Sequence, residues 1–386
     1  MASIMPDLDI VLLAGEPSGD LQGAKLIEQL LSINPNLKIG AVAGPKMRAF
    51  PIECIEPMES LQVMGFLDVA LALPKLTRLF FSLRDKILQR SPKVFVGIDY
   101  PGFNLRLHRS LKARGFSGKL IHYICPTVWA WGKKRIDLLA QNVDLLLTIL
   151  PFEPACFAHT TLPVQYVGHP LTAPIASFIP DSTFRSRYNL APNAPLCALF
   201  PGSRKHEIER NLPLQIKTAQ KLGLSIAISA ASPERSLQIA AIAPNIAQIP
   251  AEDTYNLMHN AHLAIAKSGT VTLELALHNV PTVVTYAIHP FDQFLATRIF
   301  RIQLPYYALP NLIARDLIFP ELFGHHFTEK NLLDQSLRLL EDSCRSNCLK
   351  KCLSLRSILG NTCASQNAAK AIFKILPTHS SKSPIF

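Results

Sequence analysis

The stretch DIVLLAGEPSGDLQGAKLIEQLL, residues 9–31, decides the fold of this chain. Its first six residues, DIVLLA, form an apolar run of strand length, and the apolar side chains of residues 21–31 recur with the period of a helix. The glycine turn Gly15 to Gly19 therefore joins a strand to a helix, which predicts the first unit of a βαβ fold. The turn is acidic, because it contains Glu16 and is followed by Asp20, whereas a phosphate-binding loop would favour positive or neutral groups.

Strand-length apolar runs recur along the chain with helical segments between them, which is typical of an α/β fold with parallel, doubly wound sheets. The pattern breaks in a proline-rich, irregular passage and then restarts. We therefore expect two Rossmann-like domains, residues 1–172 and 183–386, with a linker at about 168–182. Ligands of such folds bind at the carboxyl ends of the strands, so we expect the domains to face a cleft, with C-terminal helices packing back on one of them. The predicted strands are 10–14, 39–43, 94–98, 120–124, 145–149, 164–167, 196–200, 225–230, 263–266 and 282–286.

The composition indicates which class of molecule the protein binds. The net charge of +11 favours an anionic partner, but no helix-turn-helix signature, zinc-finger spacing or basic run interleaved with aromatics points to nucleic acid. The eight cysteines contain no CxxC pair, so we expect Cys344, Cys348, Cys352 and Cys363 to be thiols without a metal. The first residues lack the basic region of a signal peptide, which predicts a cytoplasmic protein.

The most lipid-like stretch is residues 61–83, LQVMGFLDVALALPKLTRLFFSL. Asp68, Pro74 and basic residues interrupt it, so it falls short of the roughly 20 apolar residues that span a bilayer. It is suited to lie on an anionic membrane, although a core helix with a solvated basic face explains the same pattern. The residues that we expect at a membrane are Met64, Phe66, Leu73, Lys75, Leu76, Arg78, Phe80 and Phe81.

In the second half, the segment AIAKSGTVTLELAL, residues 264–277, reads as a short strand, a Ser268-Gly269-Thr270 turn and a helix. Bare amides at a helix N-terminus form an anion site that suits a diphosphate, and Glu274 can accept hydrogen bonds from ribose hydroxyls. An ordinary capped helix explains the same residues.

The segment FPGSRKHEIER, residues 200–210, adds Arg204 and Lys205 to the same domain. A guanidinium there suits a leaving diphosphate.

In the first half, Asp99 directly follows the predicted strand 94–98 and can act as a general base, or it can cap a helix or fix a loop. Further on, Trp129 and Trp131 can stack on a sugar face or an acyl chain, or can simply pack in the structure.

Together these segments resemble the lipid-A-disaccharide synthases, which are inverting glycosyltransferases of the GT-B type with two Rossmann-like domains. The resemblance covers nearly the whole chain, and its specificity comes from the order and spacing of short motifs. The motifs are GEPSGD at 15–20, VAGPKM at 42–47, VMGFLDV at 63–69, GIDYPGFN at 97–104, CPTVWAW at 125–131, LPFE at 150–153, VGHPL at 167–171, PGSRKHEI at 201–208, SGTVTLE at 268–274 and LPNLIA at 309–314.

The resemblance implies transfer of 2,3-diacylglucosamine from its UDP derivative to 2,3-diacylglucosamine 1-phosphate (lipid X), which gives a β-1,6-linked disaccharide 1-phosphate and UDP. It implies that Asp99 is the base on the acceptor 6-hydroxyl and that Arg204 meets the departing diphosphate. No cofactor or metal is expected, because the arginine and a helix N-terminus supply positive charge. The implied donor-binding residues are Ser203, Ser268, Gly269, Thr270, Glu274 and Asn311. The implied acceptor-binding residues are Glu16, Ser18, Gly19, Asp20, Trp129 and Trp131.

Some points stay open at the level of sequence. Asp20 can shape the cleft or complement the helix dipole instead of binding sugar. Gly102 stands where many members of the family have a second acid, and Gly324 where they often have glutamine. The resemblance also implies a peripheral position on the cytoplasmic face of the inner membrane, and it is compatible with a homodimer. The rival interpretations are another UDP-sugar enzyme of the same fold, such as an epimerase, and a non-catalytic lipid- or nucleotide-binding protein.

Overall fold

The computed structural model describes residues 8–61, 66–130, 132–287 and 304–376, and for residues 66–73 it describes the backbone alone. The chain forms two compact units. Unit 1 contains the chain up to Pro170 and again from Thr362, and unit 2 contains Leu171–Asn361. The C-terminal segment therefore returns to the first unit instead of staying with the predicted second domain, and residues 171–182 belong to unit 2 instead of forming a separate linker.

Among the described residues, unit 1 contains a parallel sheet of seven strands in the order β3-β2-β1-β4-β5-β6-β7. The strands are β1 (Ile10–Ala14), β2 (Ile39–Ala43), β3 (Glu53–Pro57), β4 (Val94–Ile98), β5 (Lys119–Tyr123), β6 (Leu145–Thr148) and β7 (Val164–Tyr166). The helices of this unit are α1 (Pro17–Ile33), α2 (Phe66–Arg90), α3 (Pro101–Ala113), α4 (Lys134–Asn142) and, at the C-terminal end, α14 (Ala364–Ile375). Short 3₁₀ turns occur at Met47–Ala49, Met58–Leu61 and Glu153–Phe157.

Unit 2 contains, within its described part, a parallel sheet of six strands in the order β10-β9-β8-β11-β12-β13. The strands are β8 (Leu196–Phe200), β9 (Ser225–Ala230), β10 (Ala247–Pro250), β11 (Leu263–Lys267), β12 (Thr282–Tyr286) and β13 (Glu321–Phe323). The helices are α5 (Thr172–Ala176), α6 (Phe184–Arg187), α7 (Lys205–Lys221), α8 (Pro233–Ile242), α9 (Thr254–Asn260), α10 (Thr270–Leu277), α11 (Leu309–Ala314), α12 (Glu329–Leu340) and α13 (Asp342–Leu359). Short 3₁₀ turns occur at Ala251–Asp253 and Gly324–His326.

The core of unit 1 follows from the alternation of side chains along β1. Successive side chains of a strand point to opposite faces of the sheet. Ile10, Leu12 and Ala14 accordingly pack in one apolar cluster with residues of α1 and α14. Val11 and Leu13 pack in a second cluster with residues of α2 and α3. The sheet is thus covered on both faces, which explains why β1, IVLLA, is apolar without interruption.

The order of the strands fixes where each unit can bind a ligand. In unit 1 the chain moves outward from β1 through β2 to β3 and then restarts at β4 on the other side of β1. Unit 2 repeats this order, with the change of direction between β8 and β11. In open α/β sheets the crevice at such a switch point, at the carboxyl ends of the strands, is the usual ligand site. The loops after β1, β4, β8 and β11 are therefore the ones that matter for function.

Candidate functional site

The turn after β4 carries Asp99, the predicted base. Asp99 and Tyr100 both have left-handed backbone angles, with φ of 47° and 45°, which residues other than glycine adopt rarely. The amide of Asp99 donates to the Tyr123 carbonyl at 2.8 Å. The Asn104 side-chain amide donates to the carbonyl oxygens of Asp99 at 2.8 Å and of Ile98 at 3.2 Å. Hydrogen bonds from two neighbouring elements therefore hold this unusual turn in place.

The surroundings of Asp99 favour its neutral form. Burial raises the pKa of its carboxyl group, the negative charge of Glu16 raises the pKa further, and a hydrogen bond from the Tyr100 amide opposes both effects. The Tyr100 ring lies so close to Gly15 that a methyl group there would sit 2.2 Å from a ring carbon. Glycine at this position therefore allows the acidic turn to approach the Asp99 turn. A raised pKa makes the carboxylate a stronger base for the proton of a hydroxyl group.

Asp20 has backbone partners that the sequence interpretation did not identify. Its side chain is buried, as is Gly19 beside it. One carboxylate oxygen accepts the Lys46 amide at 2.9 Å and the other accepts the Met47 amide at 3.1 Å. Asp20 therefore shapes the loop after β2, and contact of Asp20 and Gly19 with a sugar stays a prediction.

The other predicted acceptor-binding residues of unit 1 remain accessible or lie outside the described residues. Glu16 and Ser18 are exposed at the start of α1. Trp129 is half-buried and packs edge-on against Phe152, with ring centroids 5.5 Å apart. Trp131 lies outside the residues that the structure describes. The role of Trp129 toward a ligand stays a prediction.

Unit 2 has a cavity of about 190 Å³ at the carboxyl ends of β8, β9 and β11. It reaches the N-terminus of α10, where Gly269 occupies the capping position. A Cβ at Gly269 would meet no atom within 4 Å, so the space in front of this terminus is open. The residues that line the cavity are Phe200, Pro201, Gly202, Ser203, Glu207, Ser229, Ala231, Lys267, Ser268, Gly269, Thr270 and Val271. Four of the predicted donor-binding residues therefore surround one cavity.

An ion pair that the sequence analysis did not identify lies in the wall of this cavity. Lys267 Nζ is 2.9 Å from Glu207 Oε1, while Glu207 Oε2 accepts the amides of Ser203 at 3.0 Å and Arg204 at 3.2 Å. Burial alone would raise the pKa of Glu207, but Lys267 and these two amides lower it overall. The sequence signal for this ion pair was the lysine at the end of β11, directly before the Ser-Gly-Thr turn. The ion pair fixes the loop after β8 and places a cation at the cavity.

Arg204, the predicted partner of the diphosphate, is the residue before α7, in the same loop. Its side chain is 72% exposed and approaches Glu207 at 3.8 Å. Lys205 is exposed beside it. Lys267 and the residues at the start of α10 thus line the cavity, and Arg204 follows the Gly202-Ser203 turn that also lines it. This arrangement suits a phosphate or diphosphate group.

Asn311 is held by the residues that follow α11. It is fully buried, and its side-chain amide donates to the Phe319 carbonyl and to Glu321 Oε1, both at 2.8 Å. Its side-chain oxygen accepts the amides of Ile318 at 2.9 Å and Phe319 at 3.0 Å. Both polar atoms therefore hold the turn after α11, and a role of Asn311 toward the donor stays a prediction.

Glu274, the remaining predicted donor ligand, lies half-buried in α10. Burial raises the pKa of its carboxyl group. Its role toward the donor stays a prediction.

The predicted membrane-contacting segment lies in and just before α2. Within the described part of the chain, no helix is long and apolar enough to cross a bilayer. Lys75, Arg78 and Phe81 are exposed, and Leu76 and Phe80 are half-buried. The structure describes neither Met64 nor the side chains of Phe66 and Leu73. The exposed part thus combines cationic side chains with one large aromatic ring.

A solved structure shows the same fold. MurG from Acinetobacter baumannii superposes with a TM-score of 0.56 at 14% identity, over 96% of this chain and 100% of that one. At this level of identity the likeness shows the fold alone, a GT-B-like pair of parallel sheets. The expected α/β fold with two Rossmann-like halves is thereby confirmed.

Relatives matched by sequence share a higher identity with this chain than that structure does. The model of the family described as lipid-A-disaccharide synthetase matches residues 10–375. The lipid-A-disaccharide synthase of Chlamydia pneumoniae is 37% identical over 96% of this chain, which spans only 63% of the length of that relative. The lipid-A-disaccharide synthase of Coxiella burnetii is 33% identical over 96% of this chain and 100% of its own length. Because the match extends over both units and includes the loops after β1, β4, β8 and β11, the chain belongs to the lipid-A-disaccharide synthetase family.

Proposed function

We propose that this chain transfers 2,3-diacylglucosamine from UDP-2,3-diacylglucosamine to lipid X and forms the β-1,6-linked disaccharide 1-phosphate and UDP. The observation that carries the proposal is the division of charge between the two switch points. The switch point of unit 1 carries a carboxylate with a raised pKa, and that of unit 2 carries an open cavity lined by Lys267 and the start of α10, with Arg204 in the adjoining loop. A base and an anion site are the two elements that an inverting displacement on a nucleotide sugar requires.

In the proposed step, Asp99 accepts the proton of the acceptor 6-hydroxyl as its oxygen attacks the anomeric carbon of the donor. The bond from that carbon to the diphosphate oxygen breaks on the opposite face, and the electron pair leaves with UDP. Arg204, Lys267 and the amides at the start of α10 stabilise the charge that develops on the diphosphate. These groups supply positive charge from the chain itself, so the proposed step is written without a metal.

We also propose that α2 brings the protein to an anionic membrane surface where both lipid substrates reside. Lys75 and Arg78 are exposed for anionic headgroups, and Phe81 is 46% exposed for the interface. Each basic residue near such a surface contributes about 1 kcal/mol of attraction. The proposed contact is peripheral and reversible, and a homodimer stays a prediction.

The test is a thin-layer assay with UDP-2,3-diacylglucosamine and radiolabelled lipid X in mixed micelles that contain EDTA. Wild-type protein is expected to form labelled disaccharide 1-phosphate, and Asp99→Asn to lower kcat by about 10² to 10⁴. UDP binding, measured by calorimetry, is expected to be the same in both. Asp137→Asn, which changes an exposed carboxylate of α4, is the matched control and is expected to retain wild-type kcat.

Three outcomes would contradict the proposal. A wild-type rate in Asp99→Asn would remove Asp99 as the base. Turnover that EDTA abolishes and Mg²⁺ restores would require a metal in the step. UDP binding without any product from wild-type protein would favour a different acceptor, or a binding protein with this fold.

A further inference from the structure

A second cavity lies in unit 1, between α2 and α3, and the reaction as proposed above does not use it. Its volume is about 400 Å³, which is within the usual range of roughly 300–1,000 Å³ for small-molecule sites. Leu76 and Phe80 border it from α2, while Tyr100 and Phe103 border it from the Asp99 turn and the start of α3. The cavity therefore adjoins the turn that carries the proposed base.

The wall of this cavity is aromatic and continuous. The rings of Phe80 and Phe103 meet edge-to-face with centroids 5.3 Å apart, and the rings of Phe103 and Tyr100 stack at 5.9 Å. Tyr100 directly follows Asp99 in sequence. An apolar surface thus extends from α2 to the residue beside the carboxylate.

The lining suits a hydrocarbon chain better than a sugar. No carboxylate or side-chain amide occurs among the described residues that line the cavity, and these are the groups that usually bind sugar hydroxyls. Arg106 lines it as well and is exposed, so a cation is available at the rim for a phosphate. An apolar tail attached to an anionic head matches this combination.

We propose that the cavity binds one acyl chain of the acceptor, next to the sugar whose hydroxyl Asp99 deprotonates. The inference rests on the proposed function and adds to it the site that selects the length of the acceptor's chain. The acceptor is favoured over the donor because the cavity adjoins the Asp99 turn, whereas the proposed diphosphate site lies in unit 2. Burial of each additional methylene is expected to raise affinity by about fourfold until the cavity is full.

Gly102 controls how much of this space is open. It lines the cavity in the first turn of α3, and a Cβ at this position would meet no atom within 4 Å. A larger side chain can therefore occupy the space without a clash against the described atoms.

The experiment compares wild-type protein with Gly102→Leu on long-chain and short-chain lipid X at a fixed mole fraction in micelles. Gly102→Leu is expected to lower kcat/KM for the long-chain acceptor by about tenfold or more, the loss of two or more buried methylenes. The short-chain acceptor is expected to react at nearly the wild-type rate. Arg109→Leu, at an exposed position of α3 that does not line the cavity, is expected to leave the preference unchanged. Thermal unfolding of both variants checks the fold.

The outcomes separate the inference from the function on which it rests. Disaccharide formation by both proteins with an unchanged chain-length preference would overturn the assignment of the cavity and leave the proposed function intact. A preference that changes only with the donor's chain length would also overturn the assignment to the acceptor. Absence of product from wild-type protein with every acceptor would overturn the proposed function, and the acceptor assignment would fall with it.

Discussion

The glycine turns of the two units have the same layout but opposite charge. Each follows a fully buried strand at a switch point, β1 in unit 1 and β8 in unit 2. Each is followed by a helix with a buried acid near its start, Asp20 in α1 and Glu207 in α7. Both acids accept backbone amides and so hold a neighbouring loop in place.

The two turns differ in the charged residues that remain exposed beside these acids. Asp20 binds a neighbouring loop, and Glu16 remains exposed near Asp99, so the unit 1 turn is negative. Glu207 is neutralised by Lys267, and Arg204 remains exposed, so the unit 2 turn is positive. One local pattern can therefore serve a base or an anion site, depending on the partner of its acid.

The largest expected effect comes from breaking the ion pair of unit 2. Lys267→Met leaves Glu207 buried without its cation and is expected to cost about 3 kcal/mol of unfolding free energy. UDP affinity is expected to fall as well. The pairing lowers the pKa of Glu207, so its stabilisation is present above the unfolded pKa of about 4.3 and is lost as pH falls through the lower folded value. Urea unfolding at neutral and acidic pH measures both effects.

Two controls accompany this prediction. Lys205→Met, which removes an exposed cation from α7, the helix that contains Glu207, is expected to change stability by less than about 0.5 kcal/mol. Adding Glu207→Gln to Lys267→Met is expected to restore part of the loss, because the unpaired charge is removed. Equal losses in the Lys267 and Lys205 variants would show that the pair does not stabilise unit 2.

In unit 1 the matching change is Asp20→Ala. It removes the acceptor of two backbone amides in a buried setting, and we expect a loss of about 2 kcal/mol in urea unfolding. Glu28→Ala, at an exposed position of the same helix, is the control and is expected to be neutral or slightly stabilising. A stable Asp20→Ala variant with weaker lipid X binding would instead support the original interpretation of Asp20 as a sugar ligand.

The Asp99 turn itself can be loosened. Asn104→Ala removes the side-chain amide that holds the carbonyls of Ile98 and Asp99, so the left-handed turn is less well fixed. We expect kcat to fall by about tenfold, because small displacements of a reacting group are costly, while UDP binding is unchanged. Partial rescue by Asn104→Gln, which retains an amide, would distinguish positioning from a general loss of stability. A drop in unfolding temperature without any change in kcat would show a structural role only.

Much of the fold was predictable because central strands of parallel sheets are buried on both faces and are apolar throughout. The strands that the sequence analysis missed are β3, β10 and β13, and all three are edge strands. Their sequences ECIEP, AQIP and ELF are short or polar, because an edge strand needs little apolar surface. Periodicity therefore identifies the centre of a sheet more reliably than its edges.

The candidate site was predictable only in part, for a different reason. Asp99 was identified as a candidate because a carboxylate directly after a buried strand is a local signal. The partners of Asp20 lie 26 and 27 residues away, and the Lys267–Glu207 pair joins the end of β11 to the first turn of α7. Pairings of this kind depend on which loops the sheet brings together. Residue types alone therefore could not distinguish a side chain that holds a loop from one that binds a ligand.

The smallest expected effect tests the negative character of the unit 1 turn. Glu16→Gln removes the second cause of the raised pKa of Asp99, so that pKa is expected to decrease. Since the base must be unprotonated to react, activity is lost as pH falls through its pKa, and the acidic limb of kcat/KM should move to lower pH. Glu28→Gln, farther along α1, is the control and should leave the limb in place.

Salt screening and burial limit how far Glu16→Gln can shift the pKa of Asp99. Added salt should reduce the difference between wild-type protein and Glu16→Gln, because Glu16 is exposed and its charge is screened. Burial is the larger cause of the raised pKa and persists in the variant, so the limb should remain above that of a free aspartate. An acidic limb that stays in place at low salt would mean that Glu16 does not act on the base, and that burial alone sets the pKa of Asp99.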